Sequence, residues 1–306
     1  MTLVIARKFS EGKLQIFSDI QLTGPLGERL PPEQGALKVW MPVPDLAMAY
    51  AGNTLAASRL YSEIKQLIAL GTDWYEILKA AQLIAIEYRQ DDHDGAEFII
   101  AHARDGGQLA KVTSGAIEEH LLSCWIGDID AFERFQRLNN APEALAIENS
   151  VDRVTSSFQK FISDGGNETA GQFEFIVRIE QSANQLHYFD YVLQARSMSG
   201  ITPRQIHLDK GEWKKIELGG AAEGVCSVSW VRSLPGDKSG AGIFFAEAEF
   251  GFFFCPAMGP ESLVFSQVNS DEFVQEISKV VGVEVGGVFS NGGGIWISRA
   301  KPQDEL

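Results

Sequence analysis

No C-x-x-C pair occurs in these 306 residues, and the three cysteines, Cys124, Cys226 and Cys255, lie far apart. That excludes a cysteine zinc knuckle and a disulfide framework, and the odd count fits reduced thiols in a cytosol, so a cytoplasmic location is expected. Cys124 sits in the apolar run LLSCWIG and reads as a buried, inert thiol. The five histidines show no H-x-x-x-H or Cys/His spacing, and DDHDG (91–95) lacks the length of a calcium loop, so no metal is expected. There is no G-x-x-x-x-G-K and no G-x-G-x-x-G opening a helix. SNGGGIW and GVEVGG therefore read as turns, and no cofactor is expected. Basic charge is scarce: 26 basic against 41 acidic residues leave a net charge of −15. Nucleic acid and anionic membranes need cationic surface, so neither is expected as a partner. No apolar run reaches the ~18 residues of a membrane helix. The start lacks the basic and apolar regions of a signal peptide. The final QDEL reads as a solvated acidic end.

What is present is a globular composition, 45% hydrophobic and 22% charged. TLVIARKF (2–9), the turn SEGK and LQIFSD (14–19) read as a β-hairpin. LKVWMPV (37–43) and LAMAYAG (46–52) read as two more strands. The period then becomes helical, with Leu60, Ile64 and Leu67 in register and Gly71 as a stop. Asp73 and Glu76 form a capping-box pattern for a second helix carrying Trp74, Ile77, Leu78, Ala81, Ala85 and Tyr88 on one face. Strands return at 98–103, 108–113 and 120–127, helices at 129–138 and 150–163, and strands at 172–180 and 187–195. Two blocks of strands and two of helices suit an α+β fold built as a layered sandwich. Beyond residue 200 the texture is β-rich with Gly-rich turns and one amphipathic helix at 271–281. The expected division is a core over 1–200 and a β-rich extension over 201–306, packed on or completing that core.

Thr2 stands at the head of the first strand, directly behind Met1. Loss of Met1 would give one residue both a hydroxyl and a free α-amine, a nucleophile with its own base. The amine has a reference pKa of ~8 and is mostly protonated at neutral pH. A neighbouring cation lowers that value by like-charge repulsion, and a buried lysine needs a carboxylate to be tolerated. Asp19 ends the second strand and Lys38 opens the third. Gly52 ends the fourth strand, where a bare backbone N–H can approach an oxyanion.

Thr2, the FSD ending in Asp19, LKVW with Lys38, and AYAGNT with Gly52 are separated by 17, 19 and 14 residues. In that order and spacing they resemble the N-terminal nucleophile hydrolases of proteasome β-subunit type, closely over 1–70 and more loosely to about 195. The resemblance implies a four-layer αββα sandwich and cleavage of a peptide or amide bond by Thr2. Lys38 would tune the amine, Asp19 would hold Lys38, and the Gly52 N–H would bind the oxyanion. The chain departs from the family's later elements. WIGDIDAF keeps Gly127 but has Asp128 where the family has a serine. NETAGQ gives Asn167 and Ala170 where it has aspartate and serine. Asp128 would raise the pKa of a nearby amine, or orient it by a hydrogen bond. The departures favour a non-catalytic scaffold or regulatory protein on the same fold; Thr2, Asp19 and Lys38 favour the enzyme. A small-molecule amidase is the third alternative. A homo-oligomer and an ATP-driven unfoldase partner are implied by the resemblance alone.

Overall fold

The computed structural model describes residues 2–9, 13–24, 28, 30, 34–90, 95–104, 107–164, 170, 174–180, 185–188, 204–207, 213–216, 228–231, 240–245, 249–291 and 294–300. The first hairpin is β1 (Leu3–Lys8) and β2 (Leu14–Asp19), followed by β3 (Val39–Val43) and β4 (Leu46–Ala51). Two helices come next, α1 (Thr54–Ala69) and α2 (Trp74–Gln90), then β5 (Glu97–His102), β6 (Gln108–Val112), β7 (Ile117–Glu118) and β8 (Ser123–Gly127). Three helices, α3 (Ile129–Asn139), α4 (Pro142–Leu145) and α5 (Ser150–Ser163), precede β9 (Glu174–Glu180) and β10 (Gln185–Tyr188).

These strands form two five-stranded sheets. One has the order β10-β9-β2-β1-β8, the other β3-β4-β5-β6-β7, and their pairings are antiparallel. Strands covered on both faces read as near-continuous apolar runs, and β2 and β4 are buried throughout. Alternate residues of β1 part company. Val4 and Ala6 join a core cluster with the second sheet, α1 and α2, while Leu3 and Ile5 join another with Phe135 of α3 and Val154, Phe158 and Phe161 of α5. The chain is a mixed α+β protein with antiparallel sheets.

Helix starts follow the local chemistry. Asn53 caps α1 and Asn149 caps α5 through their side-chain oxygens, and the Asp73 carboxylate accepts from the Glu76 amide at 3.0 Å ahead of α2. The strand expected over 120–127 is shorter. His120 takes a positive φ of 56°, a turn conformation, and regular pairing begins only at Ser123.

The later part is β-rich with one α-helix among its described residues: β11 (Arg204–His207), β12 (Trp213–Ile216), β13 (Val228–Val231), β14 (Ala241–Phe245), β15 (Phe250–Phe254), β16 (Ser262–Ser266), α6 (Ser270–Val281), β17 (Val285–Asn291) and β18 (Gly294–Ala300). The sheet β14-β15-β16 is apolar on both faces. Ala241, Ile243, Phe250, Phe252 and Phe254 belong to the cluster shared with α1 and the second sheet. Phe244 and Phe253 belong to another with Phe273 and Ile277 of α6. Among the described residues no helix is long and apolar enough to cross a membrane.

Candidate active site

Thr2 lies just ahead of β1, which runs between β2 and β8. The β1–β2 register sets Val4 against Ser18, so Asp19 falls beside the start of β1. A slip of one residue would turn it to the opposite face. Thr2 Oγ1 donates to Asp19 Oδ1 at 2.6 Å, and the Leu3 N–H donates to the same oxygen at 3.2 Å. The Gln21 N–H donates to Oδ2, also at 3.2 Å. Lys38, one residue ahead of β3, brings Nζ to Asp19 Oδ1 at 3.4 Å and donates to the Gln21 carbonyl. Its own carbonyl accepts from the Tyr50 N–H at 3.0 Å, which ties it to β4.

The three side chains are almost wholly out of water: Thr2 is 2% exposed, Asp19 0% and Lys38 1%. An ammonium in such a place is tolerated only beside a carboxylate and further acceptors. Burial pulls the Lys38 ammonium below its ordinary pKa, and the charge and hydrogen bond of Asp19 oppose that pull without cancelling it. Tyr50 lies in the same interior. Burial, and then the Asp19 charge, push its phenol well above the ordinary range. Its hydroxyl has no hydrogen-bond partner among the described residues.

The far side of β1 is fixed by the end of β8. Leu3 pairs with Gly127, and the Asp128 N–H donates to the Thr2 carbonyl at 2.7 Å. Gly127 has φ +104°, and a Cβ there would come within 1.9 Å of the Thr2 carbonyl oxygen, so no larger residue fits. Asp128 thus touches Thr2 through its backbone. Its carboxylate accepts from the Ala131 N–H at 2.8 Å and caps α3. The Asp128 carboxylate is thus engaged at a helix end.

Gly52 follows β4 with φ +90°, and a Cβ would meet the Gly95 carbonyl oxygen at 1.9 Å. Glycine is required there by the backbone alone. Asn167 lies outside the described residues, and Ala170 is buried in the cluster with α3 and α5.

Sequence reasoning missed Glu97. It opens β5, pairs with Ala51 beside Gly52, and its Oε2 accepts from the Gly127 N–H at 3.0 Å. Lys111 Nζ stands 3.9 Å from its other oxygen. An acid directly ahead of the apolar run FIIAHA is the one local signal; its partner is thirty residues away and in the other sheet. Cys124, in β8, is buried, and burial pushes its thiol up to about 12. Among the described residues no three His, Cys, Asp or Glu side chains gather as metal ligands would.

The arrangement holds one hydroxyl against a carboxylate that is itself held by an ammonium. A scan against protein-family models and a search of curated proteins both returned no match to this chain. The functional reading therefore rests on the geometry of Thr2, Asp19 and Lys38.

Proposed function

We propose that the chain is a proteasome-like N-terminal nucleophile hydrolase of four-layer αββα build, in which Thr2 cleaves a peptide or amide bond once Met1 is removed. One observation carries the reading: the Thr2 hydroxyl and the Lys38 ammonium meet on a single oxygen of buried Asp19. The four-layer build is supported by β1, whose alternate residues serve one cluster with α1 and α2 and another with α3 and α5.

In this mechanism the free α-amine of Thr2 takes the hydroxyl proton as Oγ1 attacks the substrate carbonyl carbon. The Lys38 charge disfavours an ammonium at that amine and keeps it basic but unprotonated. The Gly52 N–H faces the oxyanion of the tetrahedral intermediate. Its collapse breaks the C–N bond, and the leaving amine takes the proton. Water, with the α-amine again as base, then hydrolyses the ester.

A second reading, a non-catalytic scaffold or regulatory protein, draws on the 2% exposure of Thr2 and on the engagement of Asp128 as a helix cap. An amide substrate smaller than a peptide also fits so enclosed a hydroxyl. Intact-mass measurement separates the enzyme from the scaffold. The hydrolase is expected to lack Met1 and to gain the full mass of a peptide epoxyketone, whose ketone takes the hydroxyl and whose epoxide takes the amine. Thr2→Ala is expected to abolish the adduct. A chain that keeps Met1 is the scaffold, and one that loses Met1 but gives no adduct is not a peptidase.

A further inference from the structure

We infer that Glu97 is a positioning residue for Thr2, acting through the end of β8; the inference rests on the hydrolase reading. The chain of contacts is short. Glu97 Oε2 accepts from the Gly127 N–H at 3.0 Å. Gly127 pairs with Leu3, and the next amide, that of Asp128, donates to the Thr2 carbonyl at 2.7 Å. The nucleophile is therefore gripped on two sides. Asp19 holds its hydroxyl from β2, and the 127–128 turn holds its carbonyl from β8.

The second grip needs an anchor of its own. Gly127 has no side chain, so its φ of +104° is held only by contacts made to its backbone. Glu97 supplies the fixing contact from the other sheet. It also stands opposite Ala51, next to the proposed oxyanion donor at Gly52. One carboxylate thus sets the separation between the nucleophile's strand and the oxyanion's strand. The Glu97 hydrogen bond is one contact among many that hold the two sheets together. A misplacement of about 1 Å at a nucleophile costs on the order of a hundredfold in rate. The Glu97–Lys111 ion pair is long, at 3.9 Å, and partly exposed, so its loss has a small effect on folding.

What matters in this role is an acceptor oxygen at the Gly127 N–H, not the negative charge. Glu97→Gln keeps an amide oxygen of the same reach, and Glu97→Ala removes it. The two variants and the parent chain are to be reacted with the peptide epoxyketone under saturation. The maximal rate of adduct formation at Thr2 is read separately from the half-saturating concentration, and each variant's melting temperature is measured alongside. Expected are a fall of about tenfold or more in maximal rate for Glu97→Ala, an unchanged half-saturating concentration, and a rate within about threefold of the parent for Glu97→Gln. An unchanged rate in Glu97→Ala overturns the inference, and so does a Glu97→Gln variant as slow as Glu97→Ala. No adduct on the parent chain overturns the hydrolase reading and this inference with it. An adduct on the parent with indifferent variants overturns this inference alone.

Discussion

Asp19 and Lys38 share one buried contact, and that contact makes a sharp stability test. Taking one member away strands the other's charge in the interior, which costs about 3–5 kcal/mol, whereas replacing both with apolar residues of similar volume is close to neutral. Asp19→Leu and Lys38→Met are each expected to lower the urea unfolding free energy by about that amount, and the double variant to lose less than the sum of the two, the remaining loss coming from the Leu3 and Gln21 N–H groups that Asp19 accepts from. Additive losses in the double variant would show that the two groups do not depend on each other. All three variants are expected to lose epoxyketone labelling at Thr2, because the hydroxyl loses its partner or the amine loses its cation. At this scale much of the candidate site was legible from the sequence. Asp19 and Lys38 mark the ends of apolar strands, and a charge at such a point needs a reason. Glu97 was not legible, because its partner is a backbone N–H in another sheet, and backbone donors leave no trace in residue type.

Strand ends carry the geometry of the site, and two glycines show how. Gly127 and Gly52 both hold positive φ values, and at each a Cβ would reach a carbonyl oxygen within 1.9 Å. Gly127→Ala is expected to cost about 1–3 kcal/mol of strain or more, and to slow Thr2 labelling beyond what the stability loss explains, because the displaced oxygen belongs to Thr2 itself. Gly52→Ala is expected to be comparably destabilising through Gly95, and to slow labelling as well, because it displaces the proposed oxyanion donor. A Gly127→Ala labelling rate equal to the parent's, once stability is matched, would remove Gly127 from the account. Elements were legible where pattern and cap agreed. Asp73 with Glu76 marked the start of α2, and the 3.6-residue register of Val151, Val154 and Phe158 marked α5. The stretch before Ser123 was not legible. A histidine at φ 56° breaks the strand there, and an L-residue with positive φ carries no compositional signal.

Across the whole molecule, the sheet β14-β15-β16 joins the later residues to the earlier ones. Phe252 faces the cluster of the second sheet and α1, and its neighbour Phe253 faces the cluster with α6. Phe252→Ala and Phe253→Ala are each expected to cost about 3–5 kcal/mol. If the chain unfolds as one unit, each shifts a single urea transition seen by both far-UV and fluorescence signals. A second transition appearing only in Phe253→Ala would mark residues beyond 240 as separately stable. The division at residue 200 followed a change of texture along the chain. What the texture could not carry is that five residues past 240 complete the cluster begun by α1 and the second sheet, since alternation tells which residues face inward but not against what.

The near-total enclosure of Thr2 also fixes an order of events during synthesis. In the folded chain Thr2 is 2% exposed, with its hydroxyl engaged from β2 and its carbonyl from β8. A ribosome adding about 5–20 residues per second delivers Thr2 several seconds before β8. Loss of Met1 is therefore expected on the nascent chain, ahead of the pairing of β8 with β1.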